Sequence, residues 1–99
     1  MPTLATGTIS GIGGFGNTPL ELRLRPQANG FLDGEMRVGL AGYGTARIQG
    51  FVRGDHLQFE VAYGANTFDF EGTQNGDTFN GTFDATPSGA RGTWTATSN

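Results

Sequence analysis

The run Phe70-Glu71-Gly72-Thr73-Gln74-Asn75-Gly76-Asp77-Thr78-Phe79-Asn80-Gly81-Thr82-Phe83 reads as two strands joined by a tight turn. Counting from Phe68, the positions Phe68, Phe70, Gly72 and Gln74 alternate with Asp69, Glu71 and Thr73. On the far side, Phe79, Gly81 and Phe83 alternate with Asn80, Thr82 and Asp84. A period of two with one polar face is the pattern of strands that bury one side and wet the other. Asn75-Gly76-Asp77 supplies the turn, because Asn and Gly both tolerate positive φ.

The same grammar extends outward. Ile48, Gly50, Gly54, Asp55 and Leu57 each lie 22 residues before Phe70, Gly72, Gly76, Asp77 and Phe79, so a strand-turn-strand unit recurs. Two copies are too few for a solenoid and fit a meander of equal hairpins. In chain order the expected strands are Thr6 to Gly11, Leu20 to Arg25, Phe31 to Val38, Thr45 to Arg53, a fifth after the turn Gly54-Asp55, the two of the opening hairpin, and Ala90 to Thr97. The inward sets include Leu20, Leu22 and Leu24, then Leu32, Met36 and Val38, then Ala46, Ile48 and Val52, then Leu57, Phe59, Val61 and Tyr63, and last Trp94 and Ala96.

Eight strands of similar length joined in sequence are satisfied by an antiparallel up-and-down β-barrel spanning residues 1–99 as one domain, with the eighth strand beside the first. Closure removes both sheet edges. Inward glycines at positions 7, 11, 34, 50, 72, 81 and 92 allow the bending that a small barrel needs. A two-sheet β-sandwich built from the same strands is the alternative.

Composition narrows the function classes. The 99 residues carry a formal charge of −3, which disfavours a general nucleic-acid binder. There is no cysteine, hence no disulfide and no thiolate chemistry, and the redox compartment stays open. No apolar run approaches membrane-spanning length, so no membrane span is expected. Compartment is undetermined; removal of a leader would place the chain in a periplasm or outside the cell.

The run apolar-x-Gly-x-x-x-Gly-Asp-x-apolar at Ile48 to Leu57 and Phe70 to Phe79, with Gly92-Thr93-Trp94-Thr95-Ala96, resembles small Gly/Thr-rich β domains of bacterial proteins, many of them uncharacterised. It is also similar, more loosely, to avidin-type and other calycin barrels, the architecture of lipocalins. The resemblance implies a ligand-binding barrel or an accessory domain of a bacterial hydrolase. A single Trp departs from the avidin pattern and does not support its aromatic box.

Meander topology sorts the loops into two ends. Loops after the first, third, fifth and seventh strands share one end and carry Ile12, Phe15, Leu40 and Tyr43, with Tyr63 nearby. Apolar side chains on glycine-rich loops at a barrel mouth point to a small apolar ligand or a protein partner. The other reading of the same residues is a hydrophobic plug, with Tyr43 capping the core. Charge is sorted as well: Arg23, Arg25, Arg37, Arg47 and Arg53 lie on strands two to four, and Asp55, Glu60, Asp69, Glu71, Asp77 and Asp84 lie on strands five to seven. Outward Phe51, amid Arg47 and Arg53, with Arg37 on the neighbouring strand, forms a second candidate surface, suited to a homo-oligomer or a charged partner. Ordinary solvated surface is the competing account.

Catalysis has little to draw on. His56 is the only histidine and follows Asp55 at a turn; Ser10, Ser88 and Ser98 have no motif context. Asp69 and Glu71, with Asp84 across from one of them, are exposed carboxylates without a cleft. One His and no Cys leave no metal-ligand spacing, and no cofactor is expected. The expected activity is therefore non-catalytic binding.

Overall fold

Eight strands account for most of the chain in the computed structural model, which describes residues 3–12, 16–40 and 43–98. They are β1 (Thr3–Ser10), β2 (Thr18–Pro26), β3 (Phe31–Val38), β4 (Thr45–Arg53), β5 (His56–Tyr63), β6 (Asn66–Asn75), β7 (Thr78–Thr86) and β8 (Arg91–Ser98), with a short 3-10 turn at Ala28–Gly30. Each pairs antiparallel with its neighbour in sequence, and β1 pairs with β8 from Ala5↔Ser98 to Ser10↔Thr93, so the sheet closes as an up-and-down barrel. The sandwich alternative is thereby replaced by a single closed sheet.

Alternation places the core. From β2 to β6 less exposed inward positions alternate with outward ones at period two, in β4 with Ile48 alone fully buried, and β1, β7 and β8 keep the same phase with glycines among the inward residues. The interior is divided by residue type. Leu20, Leu22, Leu24, Leu32, Met36, Val38 and Ile48 come from β2–β4, whereas the buried rings, Phe59, Phe68, Phe70, Phe79, Phe83 and Trp94, all come from β5–β8, beside Leu57 and Val61 of β5. Phe59 and Phe70 stack at 5.0 Å with their planes 6° apart, and Phe83 lies 5.4 Å from Phe70. Each such side chain contributes about 1.5–3 kcal/mol on leaving water.

Two of the inward glycines explain how a tryptophan fits in so narrow a barrel. Gly72 and Gly81 are cross-strand partners on β6 and β7, and Gly81 is the partner of Trp94 on β8. The indole lies over this notch. A Cβ on Gly72 would come within 2.5 Å of Trp94 Cζ2, and one on Gly81 within 1.8 Å of the Glu71 carbonyl oxygen. Across the notch Trp94 Nε1 donates to the carbonyls of Glu71 (3.1 Å) and Thr82 (3.3 Å), so the buried N–H is satisfied.

The turns use the expected residues in a different register. Asn75 is the last residue of β6 and pairs with Thr78, leaving Gly76-Asp77 as a two-residue loop with Gly76 at φ +62. Gly54-Asp55 and Gly64-Ala65 repeat the arrangement, with Gly54 at +61 and Gly64 at +59. Glycine first, followed by a residue at ordinary φ, is the type II′ pattern, whose twist matches the flanking strands. The recurrence 22 residues apart is therefore a recurrence of turn geometry.

Candidate binding surface

The barrel mouth and the outer wall were both candidates, and they differ in how much of their apolar surface reaches water. At the mouth, Ile12 is fully buried within the core, and Leu40, Tyr43 and Tyr63 pack against it. Tyr43 and Tyr63 meet edge to face at 5.2 Å, and Tyr63 stands 5.9 Å from Phe68. The Tyr63 hydroxyl donates toward the carbonyls of Met36 and Gly44, both at 3.1 Å, tying the β3–β4 connection down over the core. Burial, with Tyr43 beside it, pushes the Tyr63 phenol up to about 12. Phe15 lies outside the described residues.

On the outer wall the sequence places two aromatic rings in water. Phe31 and Phe51 are 52% and 56% exposed, direct cross-strand partners on β3 and β4 with centroids 5.2 Å apart. Phe51 was expected from its outward phase between Arg47 and Arg53. Phe31 was missed, although it shares the parity of outward Asp33, Glu35 and Arg37.

Gln58 of β5 faces Phe51 on the other side. Two shallow hollows flank Phe51 and meet at Phe51 and Gln58. One, of about 460 Å³, is walled by Phe31, Asp33, Arg47, Gln49, Gln58 and Glu60. The other, of about 450 Å³, is bounded by Asn29, Gly30, Arg53, His56 and Gln58.

Charge on this wall is largely compensated. Arg25 donates through Nη1 to Glu35 Oε1 (2.9 Å) and through Nη2 to Glu35 Oε2, and its Nη2 also lies 3.5 Å from Asp33. Arg47 Nε donates to Asp33 Oδ1 at 3.2 Å. The bond from Arg25 holds the Glu35 carboxyl below the usual range, and Arg47 together with the Gly34 N–H does the same for Asp33. Among the described residues Arg37 and Arg53 form no ion pair, and Arg37 stands across from Thr45, away from Phe51. The proposed interface set thus divides: Arg47, Phe51 and Arg53 share one face of β4, and Arg37 stands apart.

The acidic strands five to seven adjoin a basic residue on β8. Glu60, Asp69 and Asp84 stand side by side across β5, β6 and β7, and Arg91 of β8 stands next in the row, opposite Asp84. Asp69, Glu71, Asp84 and Arg91 border an open hollow of about 470 Å³. Among the described residues no group of three His, Asp or Glu side chains is placed to hold a metal ion, and no helix is long and apolar enough to cross a membrane.

No family model matches the chain, and no curated protein matches it.

Proposed function

We propose that this protein is a non-catalytic binding module whose recognition surface is the outer wall over β3–β5, centred on Phe31 and Phe51. The observation that carries the reading is the exposed aromatic pair itself. Among the described residues Phe31 and Phe51 are the aromatics left more than half exposed, while Tyr43 and Tyr63 at the mouth are folded onto the core and rings fill the interior. Two adjoining phenyl rings in water cost about 25 cal/mol per Å² of apolar surface, which an occupant would recover.

The mouth, proposed from sequence as a site for a small apolar ligand, is the second reading; the Leu40, Tyr43 and Tyr63 rim favours it to the extent that these side chains are half-buried and not fully buried. Amide shift mapping separates the two. Fatty acids, neutral oligosaccharides and short peptides are titrated into isotope-labelled protein. Shifts in residues 31–33, 47–53 and 56–60 are the expected result, and shifts confined to residues 9–12, 36–40 and 63–68 would overturn it in favour of the mouth.

A homo-oligomer through the same wall is tested by light scattering. The barrel, 34 × 23 × 19 Å, presents a convex wall to any second copy. Two convex walls meet along a strip, whereas a stable interface takes about 800 Å² from each partner. Monomer mass at all concentrations is expected, and a dimer abolished by Phe51→Glu would replace this reading with self-assembly.

A further inference from the structure

We infer that the occupant of the Phe31–Phe51 wall is a neutral oligosaccharide lying along β4. The inference rests on the wall being the recognition surface and adds the chemical class of what it takes.

Three features of the surface meet the chemistry of a sugar chain. First, a pyranose ring has an apolar face of C–H groups carrying slight positive charge, which seats on the negative face of an aromatic ring. Phe31 and Phe51 offer two such rings side by side. Second, the rim of a sugar is a belt of hydroxyls that each donate and accept, matched best by planar groups that do likewise. Gln49, Gln58 and Glu60 ring the hollow beside Phe51. Among the described residues no hydrogen bond within the chain engages their side chains. Both glutamines offer a donor and an acceptor in one plane. Third, the charges beside the rings balance: Asp33 is engaged by Arg47 and Arg25, and the remaining Glu60 at one hollow and Arg53 at the other are of opposite sign. A surface whose charges balance favours neither an anion nor a cation along its whole length.

Length distinguishes a chain from a single sugar. The hollows lie on either side of Phe51 between Arg47 and Arg53, six residue steps along β4, or about 20 Å at strand rise. One ring would occupy one hollow; a chain reaches both by crossing Phe51 and Gln58. Gln58, which borders both hollows, is the polar residue placed to contact neighbouring sugar units.

The experiment is a titration of labelled protein with hexasaccharides of β-1,4-linked glucose, xylose, mannose and N-acetylglucosamine, at about 50 mM and about 500 mM NaCl, spanning a threefold change in screening length. At least one hexasaccharide is expected to shift the amides of residues 31–33, 47–53 and 56–60, with an affinity unchanged by salt and far above that of its monosaccharide. Phe51→Ala and Phe31→Ala should each weaken binding about tenfold, and Gln58→Ala about threefold, with melting temperature reporting that each variant is folded.

Failure of all four sugars while a fatty acid or peptide shifts the same amides would overturn the saccharide inference and leave the wall as the site. Sugar-induced shifts confined to the mouth would overturn both. Binding that survives Phe51→Ala, or that falls steeply with salt, would also refute the inference.

Discussion

Replacing Gly72 with Ala tests whether the indole notch is a fitted feature of the barrel. The added Cβ would meet Trp94 Cζ2 at 2.5 Å, Trp94 Cη2 at 3.1 Å and the Asn80 carbonyl oxygen at 3.0 Å. The two ring atoms belong to a side chain packed against Phe59 and Phe70 at centroid distances of 5.8 and 6.1 Å, so the ring has nowhere to retreat. Overpacking of this kind costs about 1–3 kcal/mol, and Gly72→Ala should lie in the upper half of that range.

Trp94→Phe is destabilising for the opposite reason. It removes the atoms over Gly72 and leaves a void, and it removes the N–H that serves Glu71 and Thr82, for about 2–3 kcal/mol in all. In the double variant the new methyl group enters the space the indole has vacated, and only the Asn80 contact remains. The two costs should therefore fall short of additivity by about 1–2 kcal/mol. Urea unfolding followed by circular dichroism measures this, since Trp94 is the only tryptophan and its fluorescence is lost in two of the four proteins. Additivity within about 0.5 kcal/mol would refute the notch account, because it would mean that the ring and the glycine do not share one space.

Three further outcomes follow from side chains at the surface and the mouth. Tyr63→Phe should cost about 1 kcal/mol at neutral pH through the lost hydroxyl bonds to Met36 and Gly44. The folded phenol titrates at about 12, above the ordinary 10, so wild-type stability is complete below pH 10 and declines as pH rises from 10 toward 12. Half exposure holds that decline to about 1 kcal/mol, and alkaline urea titrations should find it missing in Tyr63→Phe. Asp69→Asn should raise the melting temperature at low salt, because Asp69 faces Asp84 directly and Glu60 on its other side, and the gain should fade as salt screens the row. Glu35→Gln should flatten the acid limb of the stability profile. The carboxyl sits below its usual range in the folded chain, so its contribution is present above the ordinary carboxylate range and is lost as pH falls through the folded value.

Much of the fold is legible in the sequence, for reasons that differ from strand to strand. β3 and β4 match their expected spans because both are bracketed by turn chemistry and alternate without exception. β1 begins earlier than its alternation suggests. In Thr3-Leu4-Ala5 the large apolar residue points outward and the small one inward: Leu4 is 45% exposed and Ala5 fully buried. Hydrophobicity gives the wrong phase there, and only pairing of Thr3 with Leu24 fixes it. β2 likewise starts at Thr18, a buried polar residue whose hydroxyl donates to the Gly16 carbonyl at 3.2 Å.

The candidate surface was half legible. Phe51 stood out by parity within its own strand, but its partner is set by the β3–β4 register, and a strand read singly does not reveal what stands beside it. The two hollows depend on how side chains lie across three strands, and no periodicity encodes that.

Closure by β1 against β8 leaves the sheet with no first or last strand. Seven of the eight pairings join sequence neighbours, and the eighth brings Ala5 beside Ser98. That last seam encloses nearly the whole chain and carries the largest loop-closure entropy, so it is expected to zip last during folding. Which seam plays that part is a property of where the chain is cut, not of the barrel. Linking the two ends and opening the loop at Gly54-Asp55 should return the same walls, hollows and core with β4 and β5 as the closing pair. The barrel could thus be permuted to place the Phe31–Phe51 surface beside whichever end is fused to another protein.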